Sequence, residues 1–589
     1  MLCAGTGCVS NASFRVGAAL EEELAKYDLQ DEIDVVMTGC NGFCAQGPVM
    51  VVQPDNVFYQ LLSGEDVPEL VEEHFLKGRP LQRLMYTPPA EETPIPKMRE
   101  IGFFNKQRLI ALRNRGMIDP EKIDESIARR GYRGLAKALT SMSSEEIVKE
   151  IKDSGLRGRG GAGFSTGLKW EITAKQPGDN KYIVCNADEG DPGAFMDRSI
   201  IESDPHAVIE GMLIGAKAIG ARRGFVFIRN EYPLALERLS KALDQARDYG
   251  LLGTNILDVG FDFEITIHRG AGAFVCGEET SLIRSLEGLP PEPRVRPPFP
   301  AESGIEGKPT CINNVETWAS IAVIIDRGAE WFSQIGTETS KGTKVFALVG
   351  KVRNTGLVEV PMGITLREII FDIGGGIQNG KSFKAVQTGG PSGGCIPASL
   401  LDLPIDYERL TEAGSIMGSG GMIVMDEDNC MVDIARYFLE FLRSESCGKC
   451  TACREGVDAM YRIVTNICDG KGESEDISLL GDLSNAVRDG SLCALGGTAP
   501  NPVLSTLRYF EDEYEAHINE RRCPAGVCKA LISYTIDSDS CKACMICVKN
   551  CPQQAVFGEK KQPQVINQEK CIKCGVCHDV CKFEAVTVQ

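Results

Sequence analysis

Two short runs near the C-terminus place cysteines at a spacing that suits iron. Cys541, Cys544, Cys547 and Cys551 precede Pro552, and Cys571, Cys574, Cys577 and Cys581 repeat the C-x2-C-x2-C-x3-C pattern, with Lys582 in the proline position. Three thiolates spaced this way wrap one corner of a cubane, and the fourth reaches across to a neighbouring cluster. The spacing therefore assigns Cys541, Cys544, Cys547 and Cys581 to one [4Fe–4S] cluster, and Cys571, Cys574, Cys577 and Cys551 to a second. A pair of zinc knuckles would not need the exchanged fourth ligand. Clusters of this kind relay single electrons, so something upstream must supply or consume them.

Three further thiol groups lie upstream. Cys447, Cys450 and Cys453 form another C-x2-C-x2-C run, for which Cys493 is the best distant fourth ligand and Cys468 the second choice. Cys3 and Cys8, then Cys40 and Cys44, make two close pairs separated by a helix and a strand, an arrangement that fits a [2Fe–2S] cluster. Gly5, Gly7, Gly42 and Gly47 would let backbone amides approach those sulfurs. His517, Cys523 and Cys528, with Cys468 left over, would make a closed structural Zn²⁺ site; the bland reading is free buried thiols. Cys185, Cys276, Cys311, Cys395 and Cys430 are scattered and read as packing residues.

The central chemistry rests on glycine. Gly158, Gly160 and Gly163 form G-x-G-x-x-G inside the run Gly155–Phe164. Alone this is weak in a chain with 63 Gly. An ordinary dinucleotide fingerprint follows a strand, whereas Met142–Ser154 looks helical. The run still offers small residues, open amides and the cations Arg159 and Lys169, a cradle for a phosphate or a flavin ring.

Bulk properties narrow the classes. The 24 Cys are bunched with no visible export signal, and only 5 His are present, which suits thiolate-bound iron better than haem or a histidine zinc enzyme. A formal charge of -19 and the absence of basic–aromatic stretches argue against nucleic acid. No apolar run reaches transmembrane length, so a cytoplasmic protein away from membranes is expected.

Several motifs occur together in order. The run Gly155–Trp170, then Cys185–Gly193, Gly277–Thr280, Asn313–Thr317 and the Cys447 group resemble the NADH-binding flavoprotein subunit of respiratory complex I, over about residues 100–516. The tail resembles a bacterial two-cluster ferredoxin. With the N-terminal cysteine pairs, the composite resembles the beta subunit of NAD(P)-linked, often electron-bifurcating, [FeFe]-hydrogenases, and is similar to the matching subunit of NAD-linked formate dehydrogenases.

The resemblance implies FMN at Gly158, Arg159, Gly160, Lys169, Asn186, Asp188, Glu189, Gly277, Glu278, Asn313, Asn314 and Thr317. It implies NAD(H) or NADP(H) at Phe164, Asp191, Glu279 and Phe299, with the two rings on the adenine and the carboxylates on ribose hydroxyls. Asp191 stands where glutamate is common and Arg296 where lysine is common, which leaves NADH against NADPH open. The implied reaction is hydride transfer to the flavin with no catalytic side chain. Single electrons then pass to the cluster on Cys447, Cys450, Cys453 and Cys493. Implied partners are a hydrogen-activating catalytic subunit, a small thioredoxin-like [2Fe–2S] subunit and ferredoxin, in a hetero-oligomer. A relay scaffold without a flavin is the non-catalytic alternative.

These sites require a multidomain α/β and α+β chain. A thioredoxin-like [2Fe–2S] domain is expected over 1–86, with a helix over Ala12–Tyr27 and strands at Ile33–Met37 and Val49–Val52. A linker and helical lead-in span 87–130, opening with the Pro-rich stretch Tyr86–Lys97. A Rossmann-like FMN/NADH domain over 131–340 contains strand-like runs such as Tyr182–Cys185, Phe225–Ile228 and Phe263–Ile267. Residues 341–425, with one helix at Thr365–Phe371, resemble the family's β-grasp insertion and are assigned packing and docking with no chemistry. A helical bundle occupies 426–530 and the two-cluster ferredoxin domain 531–589.

Overall fold

The computed structural model describes residues 1–88 and 92–588. Residues 89–91 of the Pro-rich linker and the last residue of the tail lie outside the described residues. The chain forms two compact units, Met1–Met425 with Leu492–Leu495, and Asp426–Ser491 with Gly496–Gln589.

The first unit opens with strands β1 (Leu2–Cys3), β2 (Met37–Thr38), β3 (Met50–Val52) and β4 (Val57–Tyr59) in the order β2-β1-β3-β4. Helices α1 (Thr6–Ser10) and α2 (Ser13–Lys26) lie between β1 and β2. Val16, Leu20 and Leu24 recur every four residues on α2, so one face packs with Leu2, Met50 and Tyr59. The expected strand Ile33–Met37 shrinks to Met37–Thr38, because its parallel partner β1 is only two residues long.

The central sheet holds β5 (Tyr182–Ala187), β6 (Arg223–Arg229), β7 (Gly253–Ile256), β8 (Phe261–Gly270) and β9 (Thr310–Asn314), ordered β7-β8-β6-β5-β9. The pairs β5–β6, β5–β9 and β6–β8 are parallel, so these four strands end at one edge. Helices α3 (Ser144–Asp153), α4 (Thr166–Lys175), α5 (Met196–Ser203), α6 (Pro205–Ile219), α7 (Pro233–Asp248), α8 (Glu279–Leu286) and α9 (Val315–Arg327) accompany it. Helix α6 is apolar on nearly every side and buried, as a helix covered by both sheet and helices must be. Trp170 of α4 and Trp318 of α9 are fully buried with ring centroids 5.6 Å apart.

The chain leaves β5 to form β6 and β8 on one side and β9 on the other. In an open parallel sheet this reversal opens a crevice beyond the strand ends, where ligands bind.

A third sheet follows: β10 (Thr343–Gly350), β11 (Gly356–Pro361), β12 (Phe383–Thr388), β13 (Gly394–Pro397) and β14 (Gly421–Asp426), ordered β11-β10-β14-β12-β13. The helix expected at Thr365–Phe371 lies at Glu368–Ile373, and a second helical segment, Tyr407–Glu412, was not expected.

The second unit carries α10 (Met431–Glu445), α11 (Thr451–Cys468), α12 (Glu475–Gly490) and α13 (Asn501–Ile518). The tail adds two small hairpin-like sheets, β15 (Tyr534–Ile536) with β18 (Val586–Val588), and β16 (Val556–Phe557) with β17 (Val565–Ile566). Among the described residues no helix is long and apolar enough to cross a membrane.

Candidate functional site

The glycine run turns directly before α4. Gly161 adopts φ +126°, and a Cβ there would lie 3.3 Å from the backbone of Gly418. Gly163 adopts φ +63°, and a Cβ there would press 2.7 Å from the Tyr407 ring. Only glycine fits both positions. A Cβ on Gly160 would lie 3.1 Å from Asn314 Cβ, so the loop lies close over the end of β9. Gly160 and Ala162 are exposed on this loop, and small residues at a strand end suit a flat cofactor with a phosphate.

Arg159 departs from expectation. It is fully buried, and its guanidinium donates to the carbonyls of Thr343 at 3.0 Å, Arg157 at 2.9 Å and Lys341 at 2.6 Å. Its own backbone N–H donates to Thr317 Oγ1 at 2.9 Å. The side chain therefore anchors the loop, and its charge is turned away from the cradle. Five carbonyl-matching donors make arginine the natural residue for that task.

The strand ends supply the rest. Asn186 on β5 donates to the Gly277 carbonyl at 2.9 Å and accepts from the Asp188 N–H at 3.1 Å. Asn186 sits in register with Asn314 on β9. Asn313 accepts from Trp170 Nε1 at 3.0 Å, and Asn314 caps α9 by accepting from the Glu316 N–H at 2.9 Å. Lys169 donates to the Ile312 carbonyl at 3.0 Å and lies 3.8 Å from Glu279. Glu278 is a helix cap, accepting from the N–H groups of Thr280 and Ser281, both at 2.9 Å.

Acidic groups crowd this edge. Glu189 accepts from the N–H groups of Met196 at 2.8 Å, Asp197 at 3.1 Å and Arg198 at 3.3 Å, at the positive end of α5. Burial nevertheless pushes it up to about 7, against those amides and Arg198. Burial also raises Asp191 to about 6, although Ser419 donates to it at 2.7 Å. Asp188 lies 3.7 Å from Arg229 at the end of β6. Phe164 and Phe299 are half-exposed at the rim. Glu279 accepts from Arg296 at 2.7 Å, and that guanidinium stands 5.9 Å over the Phe299 ring.

Residues 341–425 also brace the crevice. Ser419 holds Asp191, and Tyr407 donates to the Gly158 carbonyl at 2.8 Å. These contacts join residues 228 and 249 apart in sequence, which no local pattern announces; the one cue was the glycine density at Gly414, Gly418, Gly420 and Gly421.

The N-terminal cysteines converge. Cys3 touches the thiols of Cys8 and Cys40, and Cys40 touches Cys44. The Asn41 N–H points at Cys3 Sγ from 3.3 Å. A Cβ on Gly5 or Gly47 would crowd Cys40 Sγ at 3.2 Å or Cys8 Sγ at 2.9 Å. Gly42 instead faces Arg115. The four thiols thus gather at one place in the first unit.

In the second unit, Cys450 precedes α11 and Cys453 lies on its first turn, 3.3 Å from Ser446 Oγ. Cys493 falls on the segment Leu492–Leu495, grouped with the first unit. In the tail, one cavity is walled by Cys551, Cys571, Cys574 and Cys577, the exchanged set expected from spacing. Cys541, Cys544 and Cys547 neighbour one another.

The four-ligand group needs a correction. Cys430, His517, Cys523 and Cys528 are buried with all ligand atoms within 4.8 Å of one another, so Cys430, read as packing, takes the place expected for Cys468. Cys468 lies beside Cys528 in a separate grouping with Asp433. Cys430 Sγ stands 3.8 Å from Cys528 Sγ, and His517 Nε2 stands 3.4 and 3.3 Å from those sulfurs. Tetrahedral Zn–S bonds of about 2.3 Å separate the sulfurs by about 3.8 Å. His517 Nδ1 lies 2.6 Å from the Glu513 carbonyl, a partner that leaves Nε2 free to bind metal. Cys430 was missed because it lies 87 residues before His517, directly ahead of α10.

Residues 151–323 match the Nuo51 FMN-binding domain, 433–517 the NADH-ubiquinone oxidoreductase-F iron-sulfur binding region, and 533–582 the 4Fe-4S dicluster domain. The NADP-reducing hydrogenase subunit HndC of Solidesulfovibrio fructosivorans is 60% identical over 484 residues, 82% of this chain and 98% of the relative. The chain belongs to the complex I 51-kDa-like flavoprotein family. The F 2 subunit of NADH-quinone oxidoreductase in Rhizobium meliloti (strain 1021) is 47% identical, covering 70% of this flavoprotein and 99% of the relative. A crystal structure of NAD+-reducing [NiFe]-hydrogenase in the air-oxidized state aligns with TM-score 0.62 and 29% identity, over 88% of this chain and 84% of that one. The flavoprotein is thus an oxidoreductase subunit with an FMN-binding domain and 4Fe–4S regions.

Proposed function

We propose that the chain is the NAD(P)H-oxidising diaphorase subunit of a cytoplasmic, multi-subunit [FeFe]-hydrogenase that exchanges electrons with ferredoxin by flavin-based bifurcation. The observation that carries the redox core is the crevice at the ends of β5 and β9, roofed by the glycine run and edged by Asn186, Asn314 and the acidic groups. The hydrogenase assignment draws on the 60% identity to a relative named as an NADP-reducing hydrogenase subunit. Bound FMN would accept a hydride and release single electrons, and thiolate-bound clusters would take them singly.

The protein's own residues bind and orient. Gly158, Gly160, Asn186, Asn313, Asn314 and Thr317 shape the cradle, with Arg159 locking it from behind. Phe164 and Phe299 offer rings to the adenine. Glu279, held by Arg296 and Lys169, would meet the adenosine ribose, and Arg296 would tolerate a 2′-phosphate. The N-terminal domain would be thioredoxin-like and hold one [2Fe–2S] cluster on Cys3, Cys8, Cys40 and Cys44. Cys447, Cys450, Cys453 and Cys493 would hold one [4Fe–4S] cluster, the tail two more, and Cys430, His517, Cys523 and Cys528 a structural zinc. The central sheet would be Rossmann-like, the third sheet a β-grasp insertion.

Anaerobic purification of the native complex tests this. The expected result is bound FMN, NAD(P)H–viologen turnover, and co-purifying subunits with a hydrogen-activating cluster and a thioredoxin-like [2Fe–2S] domain. A molybdenum-bearing partner would instead make it a formate dehydrogenase diaphorase. Full iron without flavin, with no flavin uptake, would leave a relay scaffold.

A further inference from the structure

The short helix α5 touches two sites. Its first-turn amides hold the Glu189 carboxylate at the flavin crevice. Its last turn meets the N-terminal cysteine loops. Eight residues at 1.5 Å each give a span of about 12 Å.

The cluster end is built from buried polar contacts. Glu202 is 1% exposed. Its Oε2 accepts from the Thr6 N–H at 2.9 Å and its Oε1 from the Thr6 hydroxyl at 2.5 Å. Thr6 lies between Cys3 and Cys8, so this carboxylate grips the first ligand loop. Ser203 Oγ donates to the Cys40 carbonyl at 3.3 Å, and a Cβ on Gly39 would come 2.3 Å from Ser203 Cα, so the second loop lies against the same turn. Arg238, equally buried, donates to the carbonyls of Glu202 at 2.7 Å and Ala4 at 3.0 Å. Charge of both signs stands on this helix: Arg198, one turn before Glu202, pairs with it at 3.6 Å.

We propose that Glu202 is a positioning residue for the N-terminal cluster: it fixes the Cys3–Cys8 loop and places a buried negative charge against that loop, which holds the cluster's reduction potential down. The inference rests on the [2Fe–2S] reading above. One-electron reduction adds negative charge to the cluster. A fixed anion in a low-dielectric setting opposes that step, and a fixed cation assists it. Arg198 therefore acts in the opposite sense from one turn away. The helix that seats Glu189 at the flavin thus also seats the cluster loops.

The test is an EPR-monitored redox titration of the intact, anaerobically purified chain. Wild type must show a [2Fe–2S] signal that Cys8→Ser removes; its absence overturns the cluster reading itself. Given that signal, Glu202→Gln, which keeps the shape and removes the charge, is expected to favour the reduced form about tenfold, a midpoint rise of about 59 mV. Arg198→Gln is expected to move the midpoint downward. Opposite shifts exclude general loosening of the loops. An unchanged midpoint in Glu202→Gln, or shifts of the same sign in both variants, overturns the proposal. If Glu202→Gln loses the cluster, the Arg198→Gln titration decides: a fall supports the proposal and no shift overturns it.

Discussion

The thiol sites of the second unit and the flavin crevice of the first are built on opposite logics. In the second unit the chemistry-bearing side chains face one another, as in the cavity walled by Cys551, Cys571, Cys574 and Cys577. At the crevice most of the expected side chains face something else. Glu278 caps α8, Asn313 holds Trp170, and Arg159 is committed to three carbonyls. A metal centre is made by side chains directly. A flavin cradle is made by backbone, and its polar side chains hold that backbone in shape. Removing one residue should therefore delete a thiol site outright but only deform the crevice.

The largest effect is expected at the four-ligand group. Structural zinc contributes on the order of 10 kcal/mol to small sites, so Cys430→Ser or His517→Ala should release zinc and lower the melting temperature sharply. Cys468→Ala should keep the metal. Metal analysis beside a melting curve checks all three; zinc lost from Cys468→Ala but kept in Cys430→Ser would restore the ligand set expected from sequence. Next come the tail clusters. Cys551→Ala should remove the cluster on Cys571, Cys574 and Cys577 and leave the other, while Cys581→Ala should do the reverse. Iron counts with EPR separate these outcomes, and loss of the same cluster in both variants would refute the exchange of fourth ligands.

The crevice should respond less steeply. Arg159→Leu takes this donor from one buried and two part-buried carbonyls, and the buried one costs about 1–3 kcal/mol. The loop should sag and flavin affinity should fall, with the iron content unchanged. Full flavin occupancy at wild-type affinity would show that the loop holds its shape without this anchor.

The same contrast explains what could be read before the fold was known. Ligands three residues apart in the tail sit together whatever the tertiary structure, because the local chain alone brings them near. The helix over Ser13–Lys26 and the strands Tyr182–Ala187 and Arg223–Arg229 were likewise visible, since their apolar spacing is local. Cys430 was misread because its partners lie on α13 and beyond, and no periodicity links them. Arg159 was misread for another reason. A cation in a glycine run suggests a bound phosphate, and only the fold shows carbonyls of residues 341 and 343 behind the loop. The contact between Ser419 and Asp191 depends on how the third sheet packs on the crevice, which spacing does not encode.

The smallest expected effect is one of pH, and it probes whether the crevice carboxylates are held for shape or for charge. Glu189 is raised from its ordinary 4.5 to about 7 by burial. In the unfolded chain it ionises near 4.5, so between 4.5 and about 7 the folded protein binds more protons at this site. Stability from this group must then fall as pH rises through that window and level off above it. The span corresponds to roughly 3 kcal/mol at 1.36 kcal/mol per unit. Glu189→Gln keeps an acceptor for the α5 amides and cannot ionise. Its melting temperature relative to wild type should therefore rise between pH 5 and pH 8, whatever its absolute value. A difference that stays flat across that range would mean the carboxylate is already ionised at pH 5, with the helix end and Arg198 outweighing burial.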